Sequence, residues 1–402
     1  MVLPRLNPRL SLLRESPTRR IDAIRERLSR EGRDVILLST GQPSIPPPRC
    51  IRDFLRRELA EESMKLYAYT MSSGITSLRE AIAEDIAELG GPKLEADQVI
   101  VTAGGQEAMF TVLAAILEEG DEVIVFEPMY FGYWPLISYF GAKPIVIKTS
   151  VEDGYQPPIE EFKEAIKPGR TKAVIIVTPD NPTGRILDKK VAKAIAEIAS
   201  DAGAWIVVDE AYKTLIYEGE HAWLYSYAPE NTLAINTFSK DPGIPGWRLG
   251  YIYGPIDAVK RIRLLSEEIV YCPPSIAQYM VEAYLRNREC KRKHRRFFLE
   301  NYRKKRNALL DALREYLPEA IYLPPQGSMF TLVDLSRYMS KREDSVWLAE
   351  ELLERKNVAV VPGRFFGDSV ARSIRISFVT ESPERIREGV KRIAELLRKA
   401  TR

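Results

Sequence analysis

The sequence predicts an α/β protein with a large domain, a mainly parallel seven-stranded sheet flanked by helices, and a small α+β domain built from both chain termini. Seven short apolar runs, QVIVTA, DEVIVFE, KPIVIKT, KAVIIVT, AWIVVDE, TLAINTF and LGYIYG, alternate with helical patterns between Ile51 and about Leu285. Such runs read as strands buried on both faces, and their alternation with helices is the mark of a parallel sheet. A chain of 402 residues also exceeds the usual single core, which predicts two domains.

In chain order, TRRIDAIRERLSREG has helical spacing that stops at Gly32, and VILLST follows as a short strand. The prolines of GQPSIPPP cannot continue regular structure, so residues 41–48 form a linker or a loop over a cavity. The large domain is expected over residues 46–288, and the small one over 1–45 with 289–402. CKRKHRRFFLENYRKKRNALLDALREYL begins strongly basic and settles into helical periodicity. Glu300, Asp311 and Glu315 interrupt it, so it reads as the solvated face of a long inter-domain helix rather than a nucleic-acid stripe. MFTLVDL and SIRISFV are the strand candidates of the small domain.

Composition excludes several classes of function. The charge balance of 59 basic to 56 acidic residues, formally +3, provides no field for a polyanion. Cys50, Cys272 and Cys290 are odd in number and far apart, which suggests neither a disulfide framework nor a metal site and fits a reducing cytoplasm. The N-terminal stretch lacks an apolar core of signal length, and no run is long enough to cross a bilayer. Plentiful Glu, Lys and Arg with sparse Asn and Gln lean toward a thermophilic source.

In parallel sheets, ligands gather where strands end. After QVIVTA, Gly104 and Gly105 open a helix whose free amides and dipole favour an anion such as phosphate. DEVIVFE leads to the aromatic cluster Tyr130, Phe131, Tyr133 and Trp134, in which one ring can stack on a flat cofactor. KAVIIVT leads to PDNPTG, where Asn181 can aim an amide inward. AWIVVD ends on Asp209, a carboxylate costly to bury without a cation, with Tyr212 three residues on. TLAINTF delivers Ser239 and Lys240, an amine able to attack a carbonyl once its basicity is lowered. A phosphate cradle, a stacking face, a donor to a ring hydroxyl, an acid for a pyridine nitrogen and an imine-forming amine are the parts of a pyridoxal phosphate site.

With these parts in this order, the sequence resembles the class I and II aminotransferases, the aspartate-aminotransferase-like branch of the fold-type-I pyridoxal phosphate enzymes. The likeness covers nearly the whole chain and is carried by YAYTMSSGITSLREAIA, VTAGGQEAMF, EPMYFGY, TPDNPTG, VVDEAY, FSKDPGIPGWRLGY, VPGRFFG and IRISF. It implies that Lys240 forms a Schiff base with pyridoxal 5'-phosphate and then moves the substrate proton. Asp209 would pair with the ring nitrogen, Tyr212 and Asn181 would bond the ring oxygen, and Tyr130 would stack. Gly105, Gln106, Thr237, Ser239 and Arg248 would hold the phosphate, joined by Tyr69 from a neighbouring subunit, which makes a homodimer the expected active form. Arg375 would grip the substrate α-carboxylate as a fork, and Gly41 would close over the substrate.

The implied reaction passes an amino group from an L-amino acid to a 2-oxo acid, by resemblance 2-oxoglutarate, in a ping-pong cycle. A lyase or synthase on the same fold is the alternative. Gln106 stands where some aspartate-using branches carry lysine, and Ile45 with its prolines replaces the more usual acidic and aromatic residues of that loop, so the substrate side chain stays open. A ligand-sensing regulator would need a DNA-reading module, for which residues 1–40 are too short.

Overall fold

The computed structural model describes residues 6–13, 19–61, 64–340 and 342–400. After the short strand β1 (Ile36–Leu37), the apolar runs become β2 (Val99–Thr102), β3 (Glu122–Glu127), β4 (Lys143–Lys148), β5 (Thr171–Val177), β6 (Trp205–Asp209), β7 (Thr232–Thr237) and β8 (Gly250–Tyr253). They form one seven-stranded sheet in the order β2-β8-β7-β6-β5-β3-β4. Strand β8 runs antiparallel to both neighbours, and the other pairings are parallel. The C-terminal ends of β3, β5, β6 and β7 therefore share one edge, to which the loops after them deliver their side chains.

One expected strand departs from the rest. KPIVIKT reads as buried on both faces, yet β4 is the sheet's outer strand and exposes Lys143, Pro144, Val146 and Lys148. Apolar composition does not report which strand lies at an edge, because that depends on the order of pairing.

The C-terminal part adds β9 (Ile321–Tyr322), β10 (Phe330–Asp334), β11 (Val358–Ala359), β12 (Val361–Pro362) and β13 (Ser373–Ser377), of which four pair antiparallel in the order β12-β13-β10-β9. Strand β1 pairs in parallel with β11, so the N-terminal segment packs with C-terminal chain. A core of Leu28, Ile36, Leu38, Leu313, Leu352 and Ile393 unites these two ends. The faces of the large sheet bury separate apolar sets, for example Val101, Ile124 and Val208 on one and Ile100, Val125 and Val207 on the other. This period-two division is what strands covered on both sides require.

The basic segment forms the helix Arg288–Tyr316, and only part of it is a solvated face. Arg292, Lys293 and Arg296 are exposed, whereas Lys291, His294, Phe298, Tyr302 and Arg306 turn inward at helical spacing. Lys291 Nζ donates to Asp85 at 2.7 Å, and Arg295 donates to Asp85 at 2.7 Å and to Asp241 at 2.7 Å. Burial alone would raise the Asp85 carboxyl, but Arg295 and Lys291 override it and hold it at about 2.

The cysteine expectation is overturned. Cys50 and Cys290 form a disulfide across 240 residues, with Cα atoms 6.4 Å apart, while Cys272 is free. Sequence spacing could not show the pair, because the two meet only where the starts of the helices Arg49–Ala60 and Arg288–Tyr316 converge. Among the described residues no helix is long and apolar enough to cross a membrane, and no His, Cys, Asp and Glu group is arranged to hold a metal ion.

Candidate active site

Gly41, Gly105, Gln106, Tyr130, Asn181, Asp209, Tyr212, Thr237, Ser239, Lys240, Arg248 and Arg375 line one cavity of about 530 Å³ at the strand-end edge of the sheet. Tyr69 does not. It is 82% exposed and stacks edge-on with Tyr271 at 5.1 Å.

At one end of the cavity the helix Gly105–Ile116 begins without a side-chain cap, leaving its first amides free. Gly104 precedes it with φ 98°, and a Cβ there would lie 2.5 Å from Arg248 Nη2, so only glycine allows the guanidinium to approach this turn. Arg248 itself sits in the left-handed region at φ 51°, and its Nη1 donates to Pro245 O at 2.9 Å. Thr237 Oγ1 donates to Ser239 Oγ at 2.8 Å beside them. Helix amides, two hydroxyls and a guanidinium meeting around a turn that a methyl group would block make a cradle for a dianion.

At the centre, Asp209 ends β6 with Oδ1 accepting from Ala211 N at 2.9 Å and Oδ2 accepting from Tyr133 Oη. Burial raises its carboxyl above the ordinary range, opposed by these two donors. Such a group is made far more comfortable by a cation such as a protonated ring nitrogen. Tyr130 and Tyr133 pack edge-to-face at 5.2 Å, and burial pushes both phenols up. Burial likewise pushes up the phenol of Tyr212, which stays a hydrogen-bond donor at neutral pH. The PDNPTG turn is buried rather than superficial, and Asn181 Oδ1 accepts from Arg375 Nη1 at 3.0 Å, leaving its amide free to donate elsewhere.

Lys240 Nζ donates to Gly41 O at 2.8 Å and lies 5.7 Å from the centre of the Tyr212 ring. Burial first, then the positive charge of Arg375, lowers the amine to about 8 against the partial opposition of Asp209. The neutral amine is the nucleophile. In cofactor-free protein, the rate of covalent capture of pyridoxal phosphate by Lys240 is therefore expected to rise about tenfold per pH unit below pH 8 and to level off above it. Stopped-flow absorbance across pH 6 to 10 measures this, and a rise continuing toward the ordinary lysine value would contradict it.

Arg375, on β13, is buried rather than the exposed strand residue its neighbours Ile374 and Ile376 suggest. Its Nη2 donates to Ser39 O at 2.8 Å, its guanidinium lies 4.1 Å from the Phe330 ring centre, and its Nε has no partner. Burial lowers its basicity to about 10, and its partners Asn181 Oδ1 and Ser39 O are uncharged oxygens rather than a carboxylate. A buried guanidinium facing a cavity without a counter-ion is a ready receptor for a carboxylate.

Several residues of the site were not singled out from sequence. Tyr133 was visible only as a member of the aromatic cluster, although its spacing of three from Tyr130 puts both rings on one side of the turn. Ser39 contributes only a carbonyl and Phe330 only a ring face, and neither carries a sequence signal. Ile21, Asp22 and Arg25, from the helix Arg19–Arg30, also line the cavity.

A dianion cradle, a buried acid for a ring nitrogen, a lysine of lowered basicity and an arginine fork with only uncharged partners around one cavity, on this sheet, define a fold-type-I pyridoxal phosphate enzyme. The chain belongs to the aminotransferase class I and II family, whose model matches residues 33–393. It is 35% identical to the aspartate/prephenate aminotransferase of Thermus thermophilus over 98% of this chain and 99% of that one. With the aspartate aminotransferase of Pyrococcus horikoshii it shares 34% identity over 93% and 94% of the two chains. The solved structure of Thermus thermophilus aspartate aminotransferase with maleate superposes with a TM-score of 0.91 at 35% identity, covering 98% of this chain and 100% of that one. The protein is thus a pyridoxal phosphate-dependent aminotransferase.

Proposed function

We propose that this aminotransferase carries an amino group from an L-amino acid to 2-oxoglutarate in two half-reactions, with Lys240 as the amine that holds the cofactor and moves the substrate proton. The observation that carries this reading is that Lys240, with its basicity lowered to about 8, and the Arg375 fork, which has only uncharged partners, line the same cavity. Bound pyridoxal phosphate supplies the electron sink that lets the bond at the substrate Cα be broken. The chain's own residues divide the remaining work.

Arg248, Thr237, Ser239, Gly105 and Gln106 would hold the phosphate. Asp209, steadied by Tyr133, would keep a proton on the ring nitrogen, Tyr130 would cover a ring face, and Tyr212 and Asn181 would donate to the ring oxygen. Arg375 fixes the substrate α-carboxylate, and the carbonyl of Gly41 steadies the Lys240 amine from the loop above it. Lys240 would be the group that takes the proton from the substrate Cα and carries it onward. Because Arg375 and Lys240 are fixed by buried contacts, the Cα–H bond is presented to one amine in one orientation.

The relatives' names make aspartate the first donor to test, although Gln106 supplies no charge for a second carboxylate. Asp22 and Arg25, paired at 3.4 Å, are the charged side chains that the helix Arg19–Arg30 adds to the cavity wall. We place the division between domains at 46–288 and at 1–45 with 289–402, in keeping with the separate cores described above. A homodimer completed by Tyr69 is supported by the exposed apolar face of Met64, Tyr67, Tyr69, Met71, Leu264 and Tyr271. A cytoplasmic location is compatible with the disulfide, since intracellular proteins of hyperthermophiles retain such bonds.

Adding single amino acids to the cofactor-loaded enzyme tests the reaction. Conversion of the cofactor spectrum to that of the amine form, with release of a 2-oxo acid, is the expected result and names the donor. Ammonia release or loss of the substrate side chain, with no such conversion for any donor, would instead establish the lyase or synthase reading.

A further inference from the structure

The loop of residues 41–48 touches the site at one end and runs into a covalent cross-link at the other. Gly41 O accepts the Lys240 amine at 2.8 Å, and just beyond the loop Cys50 opens the helix Arg49–Ala60 and is bonded to Cys290. Cys290 lies in the first turn of the helix Arg288–Tyr316. The next turn of that helix holds the backbone immediately after Lys240. His294 Nε2 lies 3.2 Å from Pro242 O, and Arg295 Nε donates to Asp241 Oδ2 at 2.7 Å. Between these points Ser44 N donates to Tyr302 Oη at 3.2 Å, and a Cβ on Gly243 would lie 3.4 Å from Pro43 Cβ and 3.7 Å from Phe298 Cε2. Loop, disulfide, long helix and the Lys240 turn thus close a ring of contacts, and the disulfide is its covalent link.

The same bond is open to chemistry. Cys290, half-buried, lines an open cleft of about 450 Å³ with Pro48, Arg49, Glu289, Lys293 and His294, the side from which a thiolate would approach. Both cysteines stand in the first turn of a helix, where the helix dipole, with Arg49 and Lys293 nearby, favours the thiolates that reduction produces, although Asn287 Oδ1 already accepts from the Cys290 amide and Glu289 pairs with Lys293. Stabilised thiolates are better leaving groups and make a disulfide easier to reduce.

We propose that Cys50–Cys290 is a thiol–disulfide exchange site whose partner is a dithiol reductant, and that its state sets how firmly residues 41–48 are held over Lys240. The reductant's thiolate attacks Cys290 Sγ and forms a mixed disulfide. The Sγ–Sγ bond breaks, and its electron pair leaves on Cys50 Sγ, which takes up a proton. The second reductant thiol, after losing its proton, attacks its own partner sulfur and releases Cys290, which is protonated in turn. The reductant leaves as a disulfide, having given two electrons to the protein. The consequence for substrate rests on the role given to Lys240 above, whereas the exchange and the loosening of the loop do not.

Thiol counting and hydrogen exchange on the cofactor-loaded protein test this. Alkylation in denaturant is expected to find one thiol, that of Cys272, before dithiothreitol and all three cysteines after it. Amides of residues 41–45 are expected to exchange roughly tenfold faster after reduction. A Cys290→Ser variant should show the fast rate with or without reductant, and Cys272→Ser should behave as the parent does. The donor KM should rise severalfold on reduction. Three thiols before reduction, or complete reduction with unchanged exchange in 41–45, overturns the proposal. Faster exchange with an unchanged donor KM overturns its link to the site.

Discussion

A Lys240→Ala variant is expected to fold, to take up pyridoxal phosphate without a covalent bond, and to turn over amino acids at least about 10⁴-fold more slowly than the parent. The size of the effect follows from the loss of two roles at one atom. Lys240 Nζ is the amine placed to bond the cofactor, and it is also the base that reaches the substrate Cα. Its lowered basicity requires burial and a neighbouring positive charge together, so no exposed lysine can replace it. Lys240→Arg is expected to be equally inactive, because a guanidinium stays protonated and cannot serve as the nucleophile. Borohydride reduction followed by peptide mass mapping checks the first role and should place the cofactor on the peptide containing Lys240. Partial rescue of proton transfer by a small added amine checks the second. A Lys240→Ala enzyme with normal turnover would remove the assignment.

The second large effect is expected at Arg375. Arg375→Ala should lower kcat/KM by about 10³-fold, since two charge-assisted hydrogen bonds to the substrate carboxylate are lost. Arg375→Lys keeps the charge but not the planar fork, and a loss of about 10²-fold is expected. Steady-state kinetics with the donor identified by the half-reaction screen measures both. The loss of Arg375 also reaches Lys240. The charge of Arg375 is the second cause, after burial, of the lowered basicity of Lys240, so in Arg375→Ala the pH midpoint for cofactor capture should move above about 8. In Arg375→Lys it should stay near the parent value. An Arg375→Ala enzyme that kept the parent kcat/KM for the donor would place the carboxylate receptor elsewhere, whatever the midpoint does.

Much of this architecture was legible in the sequence because parallel strands covered on both faces need unbroken apolar runs, and those runs mark where the functional loops begin. Asp209, Asn181 and Lys240 each lie at or just past the end of such a run, and the fold brings them to one edge. What could not be read depends on distances between segments. The exposure of β4 comes from standing at an end of the strand order that little other chain covers, unlike β2 at the opposite end, which is buried. The burial of Arg375 follows from the pairing of β13 between β10 and β12, which hides a position that alternation alone would assign to solvent. The bond from Tyr133 to Asp209 joins residues 76 apart in sequence, and the disulfide joins residues 240 apart. Tyr69 was expected to act in trans, and within its own chain it is exposed and does not line the cavity.

The exposed outer strand β4 has a consequence for how the protein survives crowding. The unpaired backbone along its free side is a template on which a foreign strand can lay itself down. Its residues work against that. Lys143 and Lys148 place charge at both ends, and Pro144 removes one backbone donor from the strand. Val146 is left as the exposed apolar residue between them, 40% accessible. A sheet buried nearly everywhere else thus ends on a strand whose charges and proline disfavour the addition of a further strand.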